Sequence, residues 1–119
     1  MDVQALDKAL QKIVDTKKEL EKLDYNNPKY DDLEEELHDL EDDFQDEYGD
    51  YLETEIEKVQ DQHAPDNDVL LPIAYLGEGI IIDMKKLPGR DTRLVLLTNP
   101  TRLVIRLGKD QQETVWTAK

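Results

Sequence analysis

Along the N-terminal half of the chain, apolar residues recur at alternating steps of three and four. Val3, Leu6, Leu10, Ile13 and Leu20 form one such series, with Lys17 taking one of its positions. This is the stripe of an amphipathic, coiled-coil-like helix, and it predicts a helix from about Asp2 to Leu23. Asn26-Asn27-Pro28 then breaks the pattern. Asn27 suits a cap, and Pro28 suits the first helical position, where its missing N–H costs nothing.

A second helix is predicted from about Pro28 to Gln62. Its stripe is Leu33, Leu37, Leu40 and Phe44, followed by Tyr48, Leu52, Ile56 and Val59. At 3.6 residues per turn the second quartet is displaced around the helix by roughly 80° from the first. Gly49 stands at the changeover, so a kink or a change of packing partner is expected there. The short link between the stripes predicts an antiparallel hairpin. In such a hairpin Val3 lies level with Tyr51, and helix 1 has nothing left to cover Ile56 and Val59. The last turns of helix 2 must therefore pack on the C-terminal half.

His63-Ala-Pro-Asp-Asn-Asp68 reads as a linker of turn formers. Five short apolar runs follow: Val69–Tyr75, Gly79–Met84, Thr92–Leu97, Leu103–Leu107 and Thr114–Thr117. They are separated by Gly77-Glu78-Gly79, Leu87-Pro88-Gly89, Asn99-Pro100 and Gly108-Lys109-Asp110. This spacing predicts an antiparallel meander of four or five strands, and no helix-length segment intervenes to allow a parallel sheet. A turn centred on Asn99-Pro100 sets Leu94, Leu96, Leu103 and Ile105 on one face. Arg93, Val95, Leu97, Arg102, Val104 and Arg106 lie on the other, with Arg93 opposite Arg106. Several runs are apolar on both faces, so the sheet is expected to be rolled, covered by the helices or buried in a dimer. The fold class is thus α+β: a helical hairpin over residues 1–62, a linker over 63–68, and an antiparallel meander, rolled sheet or small barrel over 69–119, all within one cooperative domain.

Charge sharpens the division. The 119 residues carry a net charge of −14. Residues 1–62 hold 22 acids and 7 bases, whereas residues 63–119 hold 7 acids and 8 bases. Residues 31–61 alone contain 16 acids and one lysine, Lys58. Such a chain is repelled by nucleic acid and anionic lipid and attracted to basic partners. No cysteine is present, which excludes disulfides, thiolate metal sites and cysteine nucleophiles. No apolar run approaches the roughly 18 to 20 residues that span a bilayer. The Met-Asp-Val-Gln start lacks a signal-peptide pattern, so the expected location is cytoplasmic.

The candidate partner-binding residues are Asp39, Asp42, Asp43, Asp46, Glu47 and Asp50 on helix 2, with Tyr25 and Tyr30 at the hairpin tip. The carboxylates repel each other at spacings of three and four. They form either a solvated face, partly neutralised by Lys8, Lys12, Lys17, Lys18 and Lys22, or a docking surface. The tyrosines either contact a partner or close the hairpin against Leu23 and Leu33. Arg93, Arg102 and Arg106, with Lys85 and Lys86, form a basic face. It pairs with helix 2 acids, holds an external anion or is simply solvated, since like charges across a sheet are unfavourable without an anion between them.

Other motifs carry less. Glu35-x-x-His38 has the spacing of di-iron bundle ligands but occurs once, with no second helical histidine. Asp66-Asn67-Asp68 lacks the glycine and distal glutamate of a calcium loop. Gly77-x-Gly79 has no lysine and no helix behind it to cradle a phosphate. No nucleophile elbow or paired-carboxylate cleft is present. Neither a metal nor a cofactor is expected, and the chain reads as non-enzymatic.

A helical hairpin followed by a small β unit resembles the layout of Gre-type transcription factors, which insert an acidic hairpin tip into RNA polymerase. The likeness is of architecture alone, because the acids here lie along helix 2, and no residue role is carried over. The expected function is an interaction or adaptor module that docks a basic protein through helix 2. The alternative is a nucleic-acid mimic or a regulator of a nucleic-acid enzyme. No direct contact with nucleic acid or membrane is expected, and self-association through the helices or the sheet is.

Overall fold

The computed structural model describes residues 2–84, 92–108 and 111–119. The turn expected at Leu87-Pro88-Gly89, and Lys85, Lys86, Lys109 and Asp110, lie outside the described residues. Helix α1 runs Val3–Glu21, with the Asp2 carboxylate accepting a hydrogen bond from the Ala5 N–H as its cap. Helix α2 runs Tyr30–His63. It starts two residues later than the proline pattern suggests. The Asn27 side chain instead accepts from the Lys29 N–H, and the Tyr30 N–H bonds the Asn27 carbonyl, so Pro28 lies in a turn that precedes the helix.

The two stripes meet as expected. Leu6, Leu10 and Ile13 of α1 are buried together with Leu37, Phe44, Tyr48, Leu52, Ile56 and Val59 of α2. Gly49 is buried at the changeover, and a Cβ placed on it would fall 2.2 Å from Gln45 Nε2. The glycine thus leaves room for the Gln45 amide to fold back along the helix toward Glu53.

Helix α2 outruns its partner, and the base of the hairpin closes on the C-terminal half. The Val69–Tyr75 run is not a strand. Pro72 begins a single 3-10 turn, Pro72–Tyr75; proline has no N–H for a strand ladder and is pre-shaped for a helical start. The fully buried Tyr75 phenol then accepts hydrogen bonds from Gln60 Nε2 at 3.1 Å and from the Leu70 N–H at 3.0 Å. Burial of an aromatic ring, together with its polar handle, overrides the β-propensity of the run.

The sheet is formed by β1 (Ile80–Ile81), β2 (Thr92–Leu97), β3 (Arg102–Leu107) and β4 (Gln111–Thr117), in the order β1-β2-β3-β4 and antiparallel throughout. It is open and does not close into a barrel. Glycines 77 and 79, both at positive φ, turn the chain from the 3-10 segment into β1; this is a tight turn, but it does not join two strands. Across β2 and β3 the register pairs Leu94 with Ile105 and Arg93 with Arg106. Leu94, Leu96, Leu103 and Ile105 accordingly join the helical core, and Trp116 of β4 meets Tyr51 of α2 with ring centroids 6.0 Å apart.

Two polar clasps complete the packing. The Asp7 carboxylate on α1 accepts from the N–H and hydroxyl of Thr101, a fully buried residue after the β2–β3 turn. In the 63–68 segment, the Asn67 amide donates to the Asp83 carbonyl and accepts from the Asp83 N–H, both at 3.3 Å.

Candidate functional site

An α-helix advances 100° per residue, so residues that recur at steps of three, four and seven stack into one column. On α2 the column contains Asp32, Asp39, Asp43, Asp46, Asp50, Glu57 and Asp61, with Glu36, Asp42 and Glu47 beside it. All are exposed. The column lies on the opposite side of the helix from Leu37, Phe44, Tyr48 and Leu52 and extends over about 43 Å. The structure thus brings the six expected carboxylates, Asp39, Asp42, Asp43, Asp46, Glu47 and Asp50, onto one solvent-facing arc. Folding forces them there because every residue needed for burial occupies the other side.

Among the described residues the ion pairs are Lys17–Glu41 at 4.0 Å and Lys58–Glu55 at 3.3 Å. Neither touches the six carboxylates. Glu41 and Glu55 stand on the flanks, partly covered, which is as far as the lysines of α1 and the C-terminal end of α2 reach.

Beside the column lies a depression of about 400 Å³ lined by Asp50, Glu53, Thr54, Glu57 and Val69. Val69, Leu70 and Leu71 are themselves exposed, Leu71 at 51%. Sequence reasoning missed this apolar lip by placing the run in a sheet. Pro72 was the available signal, since a proline in that position demotes the preceding residues from a central strand.

At the hairpin tip the rings of Tyr25 and Tyr30 lie 4.8 Å apart and tilted by 45°. Tyr25 is 82% exposed, whereas Tyr30 is half-buried. The Tyr30 phenol is pushed above its ordinary ionisation range, first by desolvation, then by Tyr25 and the nearby Glu34 and Asp31 carboxylates. A groove of about 460 Å³ opens between the helix ends, walled by Leu23 and Leu33.

The arginine face is the side of the sheet opposite Leu94, Leu96, Leu103 and Ile105; the arginines are half-buried, and Val95 and Val104 on the same face are fully buried. Arg102 donates to the carbonyls of Thr98 and Pro100, and Arg106 to Gln112 Oε1. Their guanidinium groups therefore serve the β2–β3 turn and the β3–β4 pair. Arg93 stands opposite Arg106 in the register.

Among the described residues no group of three or more His, Cys, Asp or Glu side chains gathers in metal-binding geometry. Glu35 and His38 both point to solvent. An open groove of about 670 Å³ beside β4 is lined by Tyr51, Glu55, Lys119 and the segment 114–117. It sets no histidine or second carboxylate beside its threonine hydroxyls, and Glu55 already binds Lys58. Among the described residues, no helix is long and apolar enough to cross a membrane. The chain matches no protein-family model, no curated protein and no solved structure.

Proposed function

We propose that the protein is a non-enzymatic docking module that receives a basic protein partner on the outer face of α2. One observation carries this reading: the column of exposed carboxylates reaches none of the ion pairs among the described residues. A charge array held rigid by its buried opposite side keeps its field for an incoming partner. The exposed Val69–Leu71 lip adds apolar area beside it, which suits a partner surface that is basic and partly hydrophobic. Association of this kind is fast and weakens as salt screens the charges.

The test compares the wild-type chain with the quadruple variant Asp42→Asn, Asp43→Asn, Asp46→Asn, Glu47→Gln as baits at low and high salt. A basic protein captured by wild type alone, and released at high salt, is the expected result. Equal capture by both baits, or capture by neither, reduces the column to a solubilising surface. A second reading, nucleic-acid mimicry, draws on the regularity of the same column, in which carboxylates replace phosphates. Competition by duplex DNA for the captured partner is its signature.

A further inference from the structure

We propose that the hairpin tip is a self-association surface in which Tyr25 of one copy enters the Leu23–Leu33 groove of a second copy, and reciprocally. A knob and a hole occur together at this tip. Tyr25 is the most exposed of the large apolar side chains among the described residues. The groove of about 460 Å³ beside it has leucine walls and is open to solvent. A contact between two identical patches must be complementary to itself, and the rim of the groove offers both signs of charge for that: it carries Lys22 and Lys29 together with Glu19, Asp32 and Glu36. Neither lysine enters an ion pair among the described residues.

The outer face of α2 is closed to the same face of a second copy by its charge. Beyond the tip, α2 presents carboxylates and one lysine, so two copies meeting α2 against α2 would set like charges together. Meeting tip to tip places the two acidic columns end to end and leaves the opposite charges of the rims to face one another. Lys29 has a further mark of an external role. It occupies the N-cap position of α2 without a capping side-chain bond, where the helix dipole disfavours a cation. One knob and one groove per copy bury far less than the roughly 1,600 Å² of a standard interface. The dimer is therefore weak, with a dissociation constant of order 100 micromolar.

Sedimentation equilibrium on the full chain tests this. The wild-type mass is expected to rise toward twice the monomer value as concentration passes through that range, and Tyr25→Ala to weaken association about tenfold. Two rim variants separate charge pairing from loss of fold. Lys22→Glu with Lys29→Glu makes one rim wholly acidic, and Glu19→Lys with Asp32→Lys and Glu36→Lys makes the other wholly basic. Each alone is expected to stay monomeric, while the mixture forms a heterodimer. Wild-type protein that remains monomeric into the millimolar range overturns the proposal. So does association that survives Tyr25→Ala unchanged, or a mixture of rim variants that associates no better than either alone. The acidic-column variant above leaves all these residues intact, so failure of the docking reading does not affect this test.

Discussion

The two ends of the helical hairpin are made from similar residues and are held by different means. From Phe44 to Gln60, every turn of α2 buries at least one side chain, and α1, the 3-10 turn and β4 all pack against it. From Tyr30 to Leu40 only Leu37 is buried, and the neighbouring leucines are half-covered by α1. The acidic column runs unbroken across both halves. What changes is the support behind it. At the base the carboxylates ride on a helix clamped from three sides, whereas at the tip they ride on a two-helix layer. Local stability follows buried apolar contact rather than helix length or charge, so the base is rigid and the tip is the end that opens first.

Paired truncations would break this comparison most directly. Leu52→Ala removes a fully buried side chain at the base and should cost about 2–5 kcal/mol in urea unfolding. Leu33→Ala at the tip should cost well under half of that, because its side chain is already partly in water. Equal losses would mean that the tip is as well supported as the base. Amide exchange should agree, with α2 amides near Leu33 exchanging through local opening and those near Ile56 only through global unfolding.

Next in size is the clasp from α1 to the sheet. Asp7→Ala leaves the N–H and hydroxyl of the buried Thr101 without their acceptor, at about 1–3 kcal/mol. Tyr75→Phe acts at the other side of the base. It strips the acceptor from Gln60 Nε2 and from the Leu70 N–H, for about 1–2 kcal/mol. It should also speed exchange at the Leu70 amide, and so loosen the apolar lip beside the carboxylates without changing their charge.

The smallest effect is one of pH. The Tyr48 phenol is raised above its ordinary value, first by burial and then by Glu47 and Asp2. A group raised in the folded state contributes its full stability below the unfolded value of about 10 and loses it as pH rises through the folded one. Stability should therefore fall on the alkaline side above pH ~10, and Tyr48→Phe should flatten that limb. An unchanged limb would assign the loss to other groups.

The sequence made the strongly periodic parts of this architecture legible. Both helices, their buried stripes, the passage of α2 beyond α1 and the Leu94–Ile105 register follow from spacing alone, because each is a repeated choice between core and solvent that one residue of slip would ruin. The Val69–Tyr75 run departs from a strand for two reasons: Pro72 is a local sign against one, whereas the Gln60–Tyr75 hydrogen bond that fixes the turn joins residues no local pattern connects. Asp7 escaped attention for the same reason: its partner Thr101 lies 94 residues away. The expected candidate residues fall on an exposed acidic arc, an exposed tip and a half-buried sheet face. The lip at Val69–Leu71 and the groove at Leu23 and Leu33 depend on how elements end against one another, which periodicity does not encode.

The distance between Asp7 and Thr101 also bears on how the chain reaches this state. During synthesis α1 and α2 emerge long before the β2–β3 turn exists, and the lower flank of the hairpin waits with Leu52 and Ile56 unsheltered. The clasp can close only after the ends of a very long loop have met, a step whose entropy must be spent before the contact repays it. It is therefore expected to form after the folding barrier has been crossed. In stopped-flow measurements Asp7→Ala should then leave the refolding rate nearly unchanged and accelerate unfolding. On this view the clasp acts as a latch on a finished fold: it lengthens the lifetime of the native state and does little to guide the chain toward it.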